Sequence, residues 1–207
     1  MLGDLSFGTL IIVLLALIIS ISLHESMHAY AAHWLGDDTA HEQGRISLNP
    51  LRHIDLYSTI LLPIVTLVIF KVPLLAAKPV PFNPSRVRWG EYGAALVGLA
   101  GPATNLVLAV VAGLLAHLIV GSASGGVITA IKIFVEINVA LFVFNMIPIP
   151  PLDGSRALYS VAPEAVQAVM AQMERWGIVI IFALVLAVPA FSNMLINLNN
   201  SVLRLIL

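Results

Sequence analysis

From Leu5 to Leu23 the chain carries no charged residue, and the run ends directly on His24-Glu25-Ser26-Met27-His28. A stretch of about 20 apolar residues is long enough to cross a bilayer. On a helix, positions i and i+4 lie on one face. Both imidazoles can therefore reach one metal ion, with Glu25 beside it to take a proton from water. Any fold of this chain must bring a water-using site against a membrane span.

Composition agrees. The 207 residues are 59% hydrophobic and 10% charged, where a soluble domain carries roughly a quarter charged residues. This is the balance of an integral membrane protein. A net charge of −1 and no dense basic run give no reason to expect nucleic acid as a partner. Cysteine is absent, so a metal must use His, Asp or Glu. The first run lacks a basic leader, and the metal motif follows it directly, which argues against a cleaved signal peptide.

The expected architecture is all-α and polytopic, a single domain over 1–207. Helix A covers 5–30, helix C 92–120, helix D 127–146 and helix E 176–198, with a kink at Pro189. Segment B, 59–70, is too short to span, contains Pro63 and reads as re-entrant. The proline-rich 78–84 behind it reads as extended chain, tolerated at membrane depth where it is buried in protein or lines a wet cavity. Lys132 and Glu136 stand four apart in D and are expected to pair. If A, C and D cross while B does not, D ends on the side where A ends. That parity puts Arg45, Arg52, Lys71, Lys78, Arg86, Arg88, Arg156 and Arg175 on one side. The positive-inside rule makes that side cytoplasmic, with the N-terminus outside.

A catalytic zinc takes three protein ligands and keeps one position open. His24 and His28 supply two. The candidate third is Asp153, in the LDG loop 148–154 behind D, where Pro148, Pro150 and Pro151 break the helix beside the flexible Gly154. An ionisable group at such a place is a functional candidate. Its ordinary alternative is an N-cap for the segment from Gly154 to Tyr159. Asn145, at the end of D, is a donor for a carbonyl oxygen that becomes negative during attack. It serves equally as an interhelical hydrogen bond. Gly98, Gly101 and Asn105 form a small-residue face on C, read as close helix packing. His33, His41, His53 and His117 lack an i+4 partner and are read as surface or interface residues. Arg156 is read as a headgroup anchor.

The motifs together resemble the site-2 protease family, the intramembrane zinc metalloproteases of peptidase family M50. HESMHAY, the Gly101-Pro102-Ala103-Thr104-Asn105 stretch and NMIPIPPLDG carry the resemblance; GRISLNPLRHID and KPVPFNP extend it over most of the chain. It implies one Zn2+ per chain, with His24, His28 and Asp153 as ligands and Glu25 as general base. Asn145 matches a polar residue near the bound substrate. The implied reaction is cleavage of transmembrane or membrane-anchored substrates within the cell membrane, by a water that zinc polarises and Glu25 deprotonates. Two features depart from the family: there is no PDZ or CBS domain, and Leu56-Tyr57-Ser58-Thr59 stands where short members often have Pro-x-Gly-Thr. Two other functions fit the same cluster: a small transporter or metal carrier, and a proteolytically inactive binder of transmembrane helices. Neither gives Glu25 a task.

Overall fold

The computed structural model describes residues 6–47, 49 and 80–207. Eight helices follow one another among these residues, and no strand. The first, α1 (Phe7–Trp34), starts at Ser6, whose hydroxyl caps the Thr9 N–H. It stops where Gly36 adopts φ 100°, a left-handed conformation that glycine takes without steric penalty. After the short α2 (Thr39–Glu42), residues 80–83 are neither helix nor strand; Pro81 and Pro84 remove the donors a helix would need. Then come α3 (Glu91–Ile119) and α4 (Gly125–Asn145). The short α5 (Gly154–Val161) and α6 (Glu164–Met173) precede α7 (Gly177–Ala187) and α8 (Pro189–Ile206).

Helices α1, α3 and α4 are each long and apolar enough to cross a membrane, and the pair α6 and α7, bent by 81°, makes a fourth span if taken together. The protein is an all-α polytopic membrane protein. Helices A, C and D are α1, α3 and α4. The expected helix E is divided in two: Val188 sits at φ −117° and ψ 91°, between α7 and α8. Pro189 clashes with a helical residue before it, so the chain breaks there rather than bending. Segment B, 59–70, lies outside the described residues, as do Lys78 and Pro79 of the extended stretch.

Helix α3 is the centre of the packing. Its buried Ala109 meets Val135 and Val139 of α4, with Val202, Leu203 and Ile206 of α8 closing the cluster. Towards its other end Val97 packs with Ala32 of α1 and with Val87. Small residues at these contacts let the helix backbones approach, the usual basis of helix association in lipid. The end of α1, the start of α3 and the end of α4 lie on one side: the Arg88 N–H donates to the Leu35 carbonyl, and Asp153 meets His24. The described Arg45, Arg86, Arg88, Arg156 and Arg175 belong to loops and short helices at that end. Arg204 lies at the other, where Ile206 packs against Gly113.

Candidate metal centre

His24 and His28 occupy successive turns of α1, on the face against α3. Their rings meet edge to face, centroids 4.7 Å apart, and the two Nε2 atoms are 3.0 Å apart. Asp153 arrives from the far end of the chain. The prolines after Asn145 end α4, and Ile147 and Leu152 then bury themselves against Ile181 of α7. The loop thus turns back with Asp153 at its tip. The turn is tight enough that a Cβ on Gly154 would strike the Met146 carbonyl. Asp153 does occupy the N-cap position of α5, yet its side chain makes no capping bond. Its Oδ2 lies 3.0 Å from His24 Nε2 and 3.4 Å from His28 Nε2 instead.

The outer ring nitrogens are tied down. His28 Nδ1 donates to the Val97 carbonyl at 2.7 Å, and His24 Nδ1 donates to Oδ1 of Asn105 at 2.6 Å. Both partners accept, so each neutral imidazole carries its proton on Nδ1 and turns the lone pair of Nε2 inward. Two lone pairs and a carboxylate oxygen therefore face one another, an arrangement that hydrogen bonds between neutral rings cannot satisfy. A cation among them does. Donors around a tetrahedral zinc stand about 3.3 Å apart, given bonds of about 2.0–2.1 Å. The three atoms here are separated by 3.0, 3.0 and 3.4 Å. No other cluster of three potential ligands occurs among the described residues.

Glycines on α3 make room for this. A Cβ on Gly101 would press into both rings, 2.6 Å from His24 Nε2. One on Gly98 would stand 2.9 Å from the Arg156 side chain and 3.1 Å from the Asp153 carbonyl. The small-residue face is a packing surface, as expected, and what packs on it is the site itself.

Glu25 is half-buried, and its Oε2 accepts from the Val80 N–H at 3.0 Å. The segment that follows is strapped to the end of α1: the Asn83 N–H donates to the buried carboxylate of Asp37, and the Arg88 N–H to Leu35. Asn145 is not joined to the three-ligand cluster by a hydrogen bond; its amide donates to the Leu141 carbonyl of its own helix at 3.0 Å. Arg156 pairs with Glu174 at 3.0 Å and lies over the Phe82 ring. His33 bonds Asp38 and stacks on His41, and His117 meets the Ile206 carbonyl. His53 lies outside the described residues.

The chain is similar in sequence to known proteins. The "Putative zinc metalloprotease YwhC" of Bacillus subtilis is 36% identical over 177 residues, covering 82% of this chain and 78% of its own. The chain belongs to peptidase family M50. The "Putative zinc metalloprotease Rip2" of Mycolicibacterium smegmatis is 29% identical over 191 residues, 90% of this chain and 70% of its own. Its Mycobacterium tuberculosis namesake is 26% identical over 182 residues, 87% and 68%. The profile described as Peptidase family M50 matches residues 115–188, the part of this M50 chain that holds α4 and the Asp153 loop. No solved structure matches.

Two polar residues of this M50 member escaped the sequence reading. Asn138 of α4 and Ser20 of α1 are fully buried and join Asn105. Their only signal is that each is a polar side chain inside an apolar helix, where a partner is obligatory.

Proposed function

We propose that this chain is an intramembrane zinc metalloprotease that cuts peptide bonds of membrane-spanning or membrane-anchored proteins. The observation that carries the reading is the convergence of His24 and His28 of α1 with Asp153 of the loop after α4, with Glu25 following His24 in the chain. One Zn2+ per chain would be held by the two Nε2 atoms and the Asp153 carboxylate. When bound, the ion acts as a Lewis acid towards a carbonyl and acidifies water to near neutrality. Glu25 takes the proton of the attacking water and hands it to the departing amine, first as base and then as acid. The Val80 N–H steadies one oxygen of that carboxylate. Asn145 gives one amide proton to Leu141 and keeps a second to donate to a substrate oxygen.

A helical substrate hides its carbonyls in its own hydrogen bonds and must unwind locally. The proline-rich stretch at 78–84 would receive the unwound chain as a strand. In 80–84 the Val80 and Asn83 donors are committed and the prolines have none, so the Phe82 peptide supplies the N–H for such pairing. The basic residues on the side of the site favour a cytoplasm-facing centre in the plasma membrane, with the N-terminus outside.

Metal content of detergent-purified protein, read beside cleavage of co-reconstituted membrane proteins, tests this. Wild type should carry about one zinc and Asp153→Ala none. Glu25→Gln should keep its zinc and lose at least about 100-fold in cleavage. Zinc retained in Asp153→Ala would remove the third ligand, and cleavage by Glu25→Gln would remove the base.

A further inference from the structure

The two imidazoles are oriented by different means. His28 is bound directly by a main-chain carbonyl, that of Val97, whose polarity cannot reverse. His24 is bound by a side-chain amide, Asn105, and an amide can turn end for end. Were it reversed, its NH2 would face Nδ1, the ring proton would move to Nε2, and the inward lone pair would be lost.

Asn105 is held in its orientation from behind. Its Nδ2 donates to Oδ1 of Asn138 at 2.9 Å, and more distantly to the Ser20 carbonyl at 3.4 Å. Asn138 cannot turn either. Its own Nδ2 donates to the Phe134 carbonyl at 2.9 Å and to the Ser20 hydroxyl at 2.8 Å, and a main-chain carbonyl only accepts. The polarity set at Phe134 passes through Asn138 and Asn105 to His24. All of Ser20, Asn105 and Asn138 are fully buried, so water does not substitute for any link.

We propose that Asn138 is a positioning residue for the metal centre: by fixing which end of the Asn105 amide faces His24, it keeps His24 Nε2 available as a ligand. This rests on the metal-centre reading above. It makes α4 a contributor of ligand orientation through its middle as well as of Asp153 through its end. Groups that orient a ligand from behind typically govern metal affinity by about 10–100-fold.

Zn2+ affinity of the full-length protein in detergent, by competition with a chromophoric chelator, separates this from a purely structural role. Asn138→Val and Asn105→Val should each weaken Zn2+ binding by about 10–100-fold. The double variant should be no weaker than the poorer single one, because Asn138 acts only through Asn105. Asn138→Asp, protonated in this fully buried position, keeps a carbonyl acceptor towards Asn105 and an O–H donor towards the Phe134 carbonyl, and should retain most of the affinity. If Asn138→Val is not monodisperse, Ser20→Ala replaces it: a severalfold loss is expected with Asn105 present and none in Asn105→Val. Wild-type affinity in the folded Asn138 or Ser20 variant, or additive losses in the double variant, overturns the inference alone. A wild-type protein that binds no Zn2+ overturns the metal-centre reading, and this inference with it.

Discussion

Glu25 and Val80 stand 55 positions apart, joined by one hydrogen bond of 3.0 Å from a backbone N–H to a carboxylate oxygen. The donor belongs to a residue between two prolines, so its neighbours have no N–H to offer. Val80 itself is buried against Ala29 and Ala40. The carboxylate of the residue after His24 is thus held by a peptide that packing keeps in place.

Removing only that donor is possible. Val80→Pro deletes the N–H, and Val80→Leu, which keeps it while changing the buried side chain, is its control. A hydrogen bond to a charged group contributes about 1.5–3 kcal/mol. Cleavage should fall roughly 10-fold or more with zinc content unchanged, whereas Val80→Leu should retain most activity. Equal activity in Val80→Pro and wild type would mean the bond does not orient Glu25.

Gly101→Ala tests the space between α3 and the rings. The added methyl would sit 2.6 Å from His24 Nε2, and overpacking of a tight contact costs about 1–3 kcal/mol. Helix content should persist and zinc affinity should drop about 10-fold or more. Zinc competition beside circular dichroism distinguishes the two. The neighbouring Gly98→Ala would meet Arg156 Cβ at 2.9 Å and the Asp153 carbonyl at 3.1 Å, so it presses on the Asp153 loop and should lower zinc affinity as well.

Asp37 gives a dependence on acidity away from the centre. It is fully buried, which opposes ionisation, but the Thr39 hydroxyl, the Asn83 N–H, the Thr39 N–H and the Arg86 charge outweigh that and lower its pKa. A carboxyl with a depressed folded pKa adds stability above its unfolded pKa of about 3.9. That stability is lost as pH falls through the lower folded value. Melting temperature in detergent should decline below about pH 4. Asp37→Asn should melt lower at neutral pH and show a shallower acid decline, the gap between the two closing as the carboxyl protonates. A constant gap from pH 7 to pH 3 would contradict the role assigned to its ionised form.

Gly154→Ala probes the turn that delivers Asp153. A methyl there collides with the Met146 carbonyl, so the loop must open and Asp153 must withdraw. Zinc content should fall while α1, with both histidines, stays folded. Retained zinc would mean the loop has slack.

Much of this was legible in sequence where the signal is local. The i, i+4 spacing of His24 and His28 dictates one helix face, and three prolines before Asp153 dictate a broken end. That broken end made Asp153 the candidate third ligand and the family resemblance matched it; in the structure its Oδ2 lies 3.0 Å and 3.4 Å from the two Nε2 atoms. Asn105 reads as packing in preference to substrate contact, because no spacing rule says that side chains 33 and 81 positions away will meet it. Lys132 and Glu136 were expected to pair and do not; both are exposed, and no ion pair joins them. Lys before Glu is the weaker order for an i, i+4 pair on a helix. Pro189 was read as a kink within one helix, but the backbone of Val188 separates two.

The span of sequence between the proposed ligands bears on when the protein becomes competent. Residues 24 and 28 emerge during synthesis long before residue 153. A nascent chain paused within α4 carries two imidazoles and no carboxylate to complete the set. Under the proposed ligand assignment, a half-made molecule beside the insertion machinery lacks the third ligand, and hydrolytic power arrives only after the third long helix has been threaded and its proline loop has folded back.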